Sequence, residues 1–334
     1  MDTMTEGYLQ TQLEGRKKLL ESAIASRAVD VSVADLLREV DAALERVRDG
    51  SYGICEQCHD PVEQERLIAD PLVRFCVDHL DERQRRALEE DLELAAGVQR
   101  NLLPPHDFRA NGWQFHYCYE PAGIVSGDYC DVIPSAAAGA NGDGAGDVFF
   151  SLGDVAGKGV AASLLMTQLH GMFRSLASTN LPLDELVARV SRLFCESTTA
   201  GQYATLVCGR ASASGAVELC NAGHLPVFLL RDGEVRSLDA MGMPLGMFGV
   251  GTYPAEKLRL NAGESLVFYT DGLTESLDGS NREYGIARLR QFLTGRHALA
   301  PDALTAACLA EVKNFSAGSR QHDDRTMLVL RRDN

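Results

Sequence analysis

Four aspartates stand at the ends of apolar runs scattered between residues 126 and 330, and this repetition constrains the fold more than any other feature. In Phe149–Gly159, FFSLGDVAGKG, a short buried-strand pattern ends at Asp154 and is followed by glycines and a long helical segment. Ser126–Asp131 reads SGDYCD, Tyr269–Glu275 reads YTDGLTE after the apolar run Ser265–Phe268, and His322–Thr326 reads HDDRT just before Met327–Leu330. Taken singly, Asp154 reads as a helix N-cap or turn residue, the ordinary use of an acid at a strand–turn–helix junction. Four such acids at strand edges read instead as carboxylates facing one cleft. Gathered there they repel one another at neutral pH unless a cation lies between them. Oxygen ligands without partnering Cys or His favour Mg²⁺ or Mn²⁺ over zinc.

A second ligand set lies near the N-terminus. Cys55, Cys58, Cys76 and His79 form C-x₂-C-x₁₇-C-x₂-H, two close pairs at the separation of a structural zinc knuckle. CEQCH at Cys55–His59 also fits a covalent haem attachment site, but haem leaves Cys76 and His79 unexplained. A redox C-x-x-C pair expects a βαβ context that the helical surroundings do not offer. One zinc held by the four residues is the preferred reading, with His79 rather than His59 as the histidine ligand.

Ahead of the knuckle, Leu9, Leu13, Leu20 and Ile24 line one face of a helix from Thr5 to about Arg27. Ser32 can cap a second helix, whose stripe is Val33, Leu36, Leu37, Val40, Leu44 and Val47, and the short connection predicts a hairpin. After the knuckle, Leu88, Leu92, Ala95, Gln99 and Leu102 follow heptad spacing over Asp81–Leu103. A coiled coil and an amphipathic helix docked on a neighbouring domain both explain that stripe. Pro104 and Pro105 end it.

From Trp113 onward strands alternate with grouped helices. Strands are expected at Trp113–Glu120, Gly127–Ile133, Ala204–Arg210, Ala216–Asn221, Val227–Arg231, Lys257–Leu260, Ser265–Tyr269 and Thr326–Arg331, with helices at Ala161–Ser178, Leu183–Thr198, Tyr284–Thr294 and Pro301–Phe315. Ser135–Gly146, rich in Ala and Gly, reads as a flexible insertion. The pattern is that of an α+β sandwich. The boundaries read as 1–80 for the hairpin and knuckle, 81–103 for the linker helix and 104–334 for the sandwich.

The net charge of −15 argues against nucleic-acid phosphates and anionic membranes as direct partners. No apolar run approaches the ~20 residues of a membrane span, and MDTMTEGYLQ lacks the apolar core of a secretory signal. Nine cysteines, an odd count at mostly irregular spacing, suit reduced thiols, so a cytoplasmic location is expected. Cys118, Cys130, Cys195, Cys208, Cys220 and Cys308 lie on or beside apolar stretches as core residues, and none has Arg at the C-x₅-R spacing of a cysteine phosphatase.

The ordered motifs LLPP (Leu102–Pro105), SGDYCD, GDVAGKG (Gly153–Gly159), NAGHLP (Asn221–Pro226), GMPLG (Gly242–Gly246), FYTDGLTES (Phe268–Ser276) and DDRTMLVL (Asp323–Leu330) carry a resemblance. From about Asn101 to the C-terminus the chain resembles the PPM (protein phosphatase 2C-like) serine/threonine phosphatases, in their SpoIIE/RsbU-like branch. The resemblance implies two antiparallel sheets flanked by helices and two Mn²⁺ or Mg²⁺ ions. It implies that Asp154 bridges the two cations, that the Val155 carbonyl serves one, and that Asp128, Asp271 and Asp323 hold the other, with Asp131 and Asp324 in reserve. A water shared by the two cations then attacks phosphorus, with Asp154 and Asp271 catalytic through it. His224 reads either as a general acid or as a turn residue that shapes its loop. The implied substrate is a phosphorylated anti-anti-sigma (STAS-domain) protein of a partner-switching pathway, and the linker helix is expected to form a homodimer.

The stretch DGSYGICEQCHDPVEQERLIADPLVRFC, with the hairpin before it, resembles the DksA/TraR-type zinc finger, departing from it at His79, where the usual residue is Cys. The hairpin is also far shorter than the coiled coil with which larger members reach RNA polymerase. The module therefore reads as a sensing or docking element for an upstream regulator. Two other function classes stand beside the enzyme: a phosphoprotein-binding regulator without turnover, and a transcription regulator acting through the zinc finger.

Overall fold

The computed structural model describes residues 3–25, 31–79, 82–134, 146–179, 181–199, 201–249, 251–317 and 319–333. Nearly all of the expected insertion at Ser135–Gly146 lies outside them. By its contacts the chain divides into two compact units, Met1–Asp91 and Leu92–Asn334.

In the first unit, helices α1 (Thr3–Ala25) and α2 (Val31–Asp49) pack along their apolar stripes. Leu9 and Leu13 meet Val40, Ala43 and Leu44, and the same cluster takes in Tyr52, Cys55, Val62, Leu67 and Cys76. One small core thus serves both the hairpin and the knuckle. Helix α2 already begins at Val31, so Ser32 lies in its first turn and not ahead of it as a cap. A short helix α3 (Gln64–Ala69) and a 3₁₀ turn at Val77–His79 bring the second ligand pair round to the first. Helix α4 (Glu82–Leu102) crosses the boundary between the units.

The second unit is built from strands β1 (Asp107–Ala110), β2 (Trp113–Glu120), β3 (Asp128–Pro134), β4 (Val148–Val155), β5 (Ala204–Ala211), β6 (Ala216–Ala222), β7 (Val227–Arg231), β8 (Glu234–Leu238), β9 (Ala255–Arg259), β10 (Ser265–Tyr269) and β11 (Arg325–Arg332). They form two antiparallel sheets, ordered β1-β2-β11-β10-β7-β8 and β3-β4-β5-β6-β9. Alternation along each strand decides the layers. Phe150 and Leu152 on β4 point between the sheets toward Phe268 and Leu328, whereas Phe149 points outward to Phe173. A fully buried ring of this kind is worth about 1.5–3 kcal/mol relative to exposure. Helices α5 (Gly159–Ala177) and α6 (Leu183–Ser197) cover the second sheet. Helices α8 (Ile286–Leu293) and α9 (Pro301–Phe315) cover the first, and the one-turn α7 (Asp271–Thr274) follows β10. The result is a helix–sheet–sheet–helix sandwich, as expected. Strands β1 and β8, absent from the sequence expectation, are short edge strands. No helix among the described residues is long and apolar enough to cross a membrane.

Candidate active site

Antiparallel register sets the acids side by side: Asp128 at the start of β3 lies opposite Asp154 near the end of β4. The other sheet supplies Asp271, the first residue of α7, and Asp323, just ahead of β11. Close approach of the chain segments requires Gly272, because a Cβ there would fall 1.9 Å from the Asp324 carbonyl oxygen. A Cβ on Gly127 would lie 3.2 Å from the Val155 carbonyl oxygen and 3.4 Å from Asp154 Oδ1, so these two oxygens face one small space.

Asp128 is buried, and its Oδ2 accepts the hydroxyls of Thr270, at 2.9 Å, and Thr326. These donors belong to the opposite sheet, so the carboxylate clamps the two sheets where the acids meet. Lys158, in the turn before α5, donates to Asp323 Oδ2 and to the His322 carbonyl, each at 2.8 Å. Burial and the neighbouring Asp154 charge hold the Asp128 carboxyl well above the usual range. Burial, then Asp271, Asp323 and Asp324, raise Asp154 to about 8. Asp271 is raised by burial and by Asp323.

Both reserve acids have other work. Asp131 is fully buried and takes a two-point bond from Arg174, at 2.7 and 2.8 Å, toward α5. Asp324 accepts the backbone N–H groups of Ala122 and Gly127 at 2.7 and 2.9 Å and so fixes the loop leading to Asp128. The remaining acids suit divalent cations: hard oxygens, a backbone carbonyl, and carboxyl groups whose mutual repulsion a cation would relieve.

The proton balance gives a pH prediction. Asp154 rises from an ordinary 3.8 to about 8, so the stability due to keeping it protonated is whole below about pH 4 and is lost as pH rises through 8. Cations need the ionised form, so half-saturating manganese should fall as pH climbs from about 6 to about 8, by up to about tenfold per pH unit for each proton displaced. Manganese titrations of the intact protein at several pH values measure this, and a flat dependence would contradict the repulsive cluster.

In the knuckle, Cys55, Cys58, Cys76 and His79 bring their ligand atoms within 4.8 Å of one another, and theirs is the one such group among the described residues. Cys76 Sγ lies 3.1 Å from His79 Nδ1 and 3.8 Å from Cys58 Sγ. Burial alone would raise the Cys55 thiol, but the backbone N–H groups of Cys58, Cys76 and Gln57 outweigh it and bring it down to about 6. A ready thiolate among four soft or borderline ligands fits zinc. His59 is exposed and outside the cluster, at φ 62°.

Several residues escaped sequence reasoning. Thr270 and Thr326 flank the acids in YTDG and DDRT, and that adjacency was the available signal. Gln99, placed on the heptad stripe, is buried: its side-chain amide donates to the Ser126 carbonyl at 2.6 Å and accepts the Ser126 N–H at 3.0 Å. That stripe position is therefore used on the sandwich itself.

Both units resemble known proteins. Residues 50–78 match the prokaryotic dksA/traR C4-type zinc finger. Phosphoserine phosphatase RsbU of Bacillus subtilis is 23% identical over 257 residues, covering 74% of this chain and 72% of RsbU. Protein IcfG of Synechocystis sp. is 27% identical over 274 residues, covering 73% of this chain but only 42% of IcfG. The crystal structure of the RsbU and RsbW domains of Rv1364c from Mycobacterium tuberculosis superposes with a TM-score of 0.58 at 26% identity, over 69% of this chain and 63% of that one. Residues 144–333, more than half of the chain, match the family described as stage II sporulation protein E (SpoIIE), and to that family the protein belongs.

Proposed function

We propose that the protein is a metal-dependent serine/threonine protein phosphatase that removes phosphate from a phosphoserine or phosphothreonine of an anti-anti-sigma (STAS-domain) protein in the cytoplasm. The observation that carries this reading is the meeting of Asp128, Asp154, Asp271 and Asp323 at one edge of the sandwich, with Asp128, Asp154 and Asp271 all raised by burial and mutual charge. In this reading Asp154, the Val155 carbonyl, Asp128, Asp271 and Asp323 would together hold two cations. When bound, two divalent cations supply charge to the phosphoryl oxygens and activate a water for in-line attack. The chain's own part is to hold the ligands: Thr270 and Thr326 fix Asp128, Asp324 fixes the loop before it, and Lys158 steadies Asp323 at the rim. The proposed modules are 1–80 for docking or regulation through one zinc, 81–103 as linker, and 104–334 for catalysis.

The linker is further proposed to pair two copies and to pass a change in that pairing to the active site. Leu94 and Val98, one turn apart on α4, stay 70% and 52% exposed and are free for a partner. Gln99 grips Ser126 two residues before Asp128, which supports a path from the helix to the ligands. A phosphoserine-bearing STAS-domain protein incubated with the full chain tests the activity. Phosphate release that rises saturably with manganese is expected, and tight binding without release would favour a non-catalytic regulator.

A further inference from the structure

His224 follows β6 in the NAGHLP turn, is 6% exposed, and spans the two sheets behind the acidic edge. Its Nε2 lies 2.9 Å from the carbonyl oxygen of Tyr269, the last residue of β10, and its Nδ1 lies 2.8 Å from the Thr205 hydroxyl on β5. Its backbone N–H donates to Asn221 Oδ1 at 2.8 Å, which anchors the turn. A carbonyl only accepts, so Nε2 carries the hydrogen, and Nδ1 accepts from Thr205. Burial pushes the ring down to about 4, so it stays neutral in this one tautomer at working pH. With both nitrogens engaged, none is left to exchange a proton with a substrate.

Each end of this bridge is one step from a proposed ligand. Thr205 is the register partner of Asp154 across β4 and β5. Tyr269 is followed directly by Thr270, which holds Asp128, and then by Asp271. We propose that His224 is a positioning residue: a neutral strut that fixes the distance between the Asp154-bearing sheet and the strand that delivers Asp271, so that both acids meet the cations at a set spacing. This rests on the cation site proposed above. Groups that orient a metal ligand from behind are worth about 10–100-fold in metal affinity or activity when lost.

The test is a manganese titration of the full-length protein, read both as p-nitrophenyl phosphate hydrolysis and as loss of the paramagnetic resonance signal of free manganese. Thr205→Val removes one hydroxyl at nearly constant shape, and should raise half-saturating manganese by about 3- to 10-fold, the worth of one hydrogen bond. His224→Leu should raise it by about 10–100-fold, with KM for the aryl phosphate unchanged and kcat largely restored at saturating manganese. His224→Gln, which offers an amide N–H and a carbonyl in place of the two ring nitrogens, should fall between wild type and His224→Leu. The strut is overturned if Thr205→Val melts as wild type does and binds manganese with wild-type affinity, or if His224→Leu loses activity only in step with its melting temperature. Asp154→Asn separates the two ideas. Wild-type manganese binding and turnover in that variant would reject the cation site itself, whereas their loss beside an unchanged Thr205→Val would reject only the strut.

Discussion

Asp154→Asn is expected to lower phosphate release by on the order of 10³-fold, the scale of losing a central electrostatic contact, while leaving the sandwich folded. Asparagine keeps the shape of the side chain and can still occupy the space shared with the Val155 carbonyl. It cannot supply the charge that two cations need between them. The carboxyl is raised to about 8 by burial and by Asp271, Asp323 and Asp324, so ionised Asp154 strains the cation-free fold. Replacing it removes that repulsion. At pH 8 and without manganese the variant should therefore melt no lower than wild type, so the loss of turnover cannot be read as unfolding. Wild-type rates in the variant would show that turnover does not need this acid, and a large fall in its melting temperature would show that it has a structural role instead of the proposed one.

The other large effect concerns the knuckle. Cys76→Ser is expected to empty the zinc site and to unfold the first unit, measured by metal analysis after gel filtration and by limited proteolysis. The reason lies in the size of the core: Cys55 and Cys76 belong to the same small cluster as Leu9, Leu13, Val40 and Leu44. So little apolar burial rarely holds a domain without a metal or cross-link. Structural zinc contributes about 10–16 kcal/mol of apparent binding free energy in isolated finger peptides, far more than this cluster can replace. Wild-type protein should carry one zinc per chain. The Leu92–Asn334 unit, with three large apolar clusters of its own, should keep its melting transition. A Cys76→Ser protein that retains stoichiometric zinc and an unchanged cleavage pattern would overturn the assignment of Cys76.

What the sequence disclosed was local chemistry at fixed spacing. Asp154 could be read because it interrupts an apolar strand, and the knuckle because two ligand pairs recur at a known interval. Strands such as β2, β7 and β10 were legible because their apolar residues are buried on both faces or alternate cleanly. The edge strands were not. β1 and β8 are DFRA and EVRSL, short and half polar, and they gain their order from neighbours, β2 and β7, rather than from their own pattern. Long-range pairing was equally hidden. Nothing near Asp131 in sequence announces Arg174, and nothing near Gln99 announces Ser126. Heptad spacing on α4 is compatible with a partner helix or with a domain face, and Gln99 turns to the face. His224 was legible as part of a fingerprint turn, but its bridge to Thr205 and Tyr269 exists only once the two sheets are stacked.

Anomalous scattering at the manganese edge, from crystals equilibrated with manganese, tests the two-cation site most directly. Two peaks about 3.5–4 Å apart, with Asp154 between them and Asp128, Asp271 and Asp323 on one, are the predicted result. No peak within bonding reach of Asp154, in crystals of protein that releases phosphate in the same manganese solution, would contradict it.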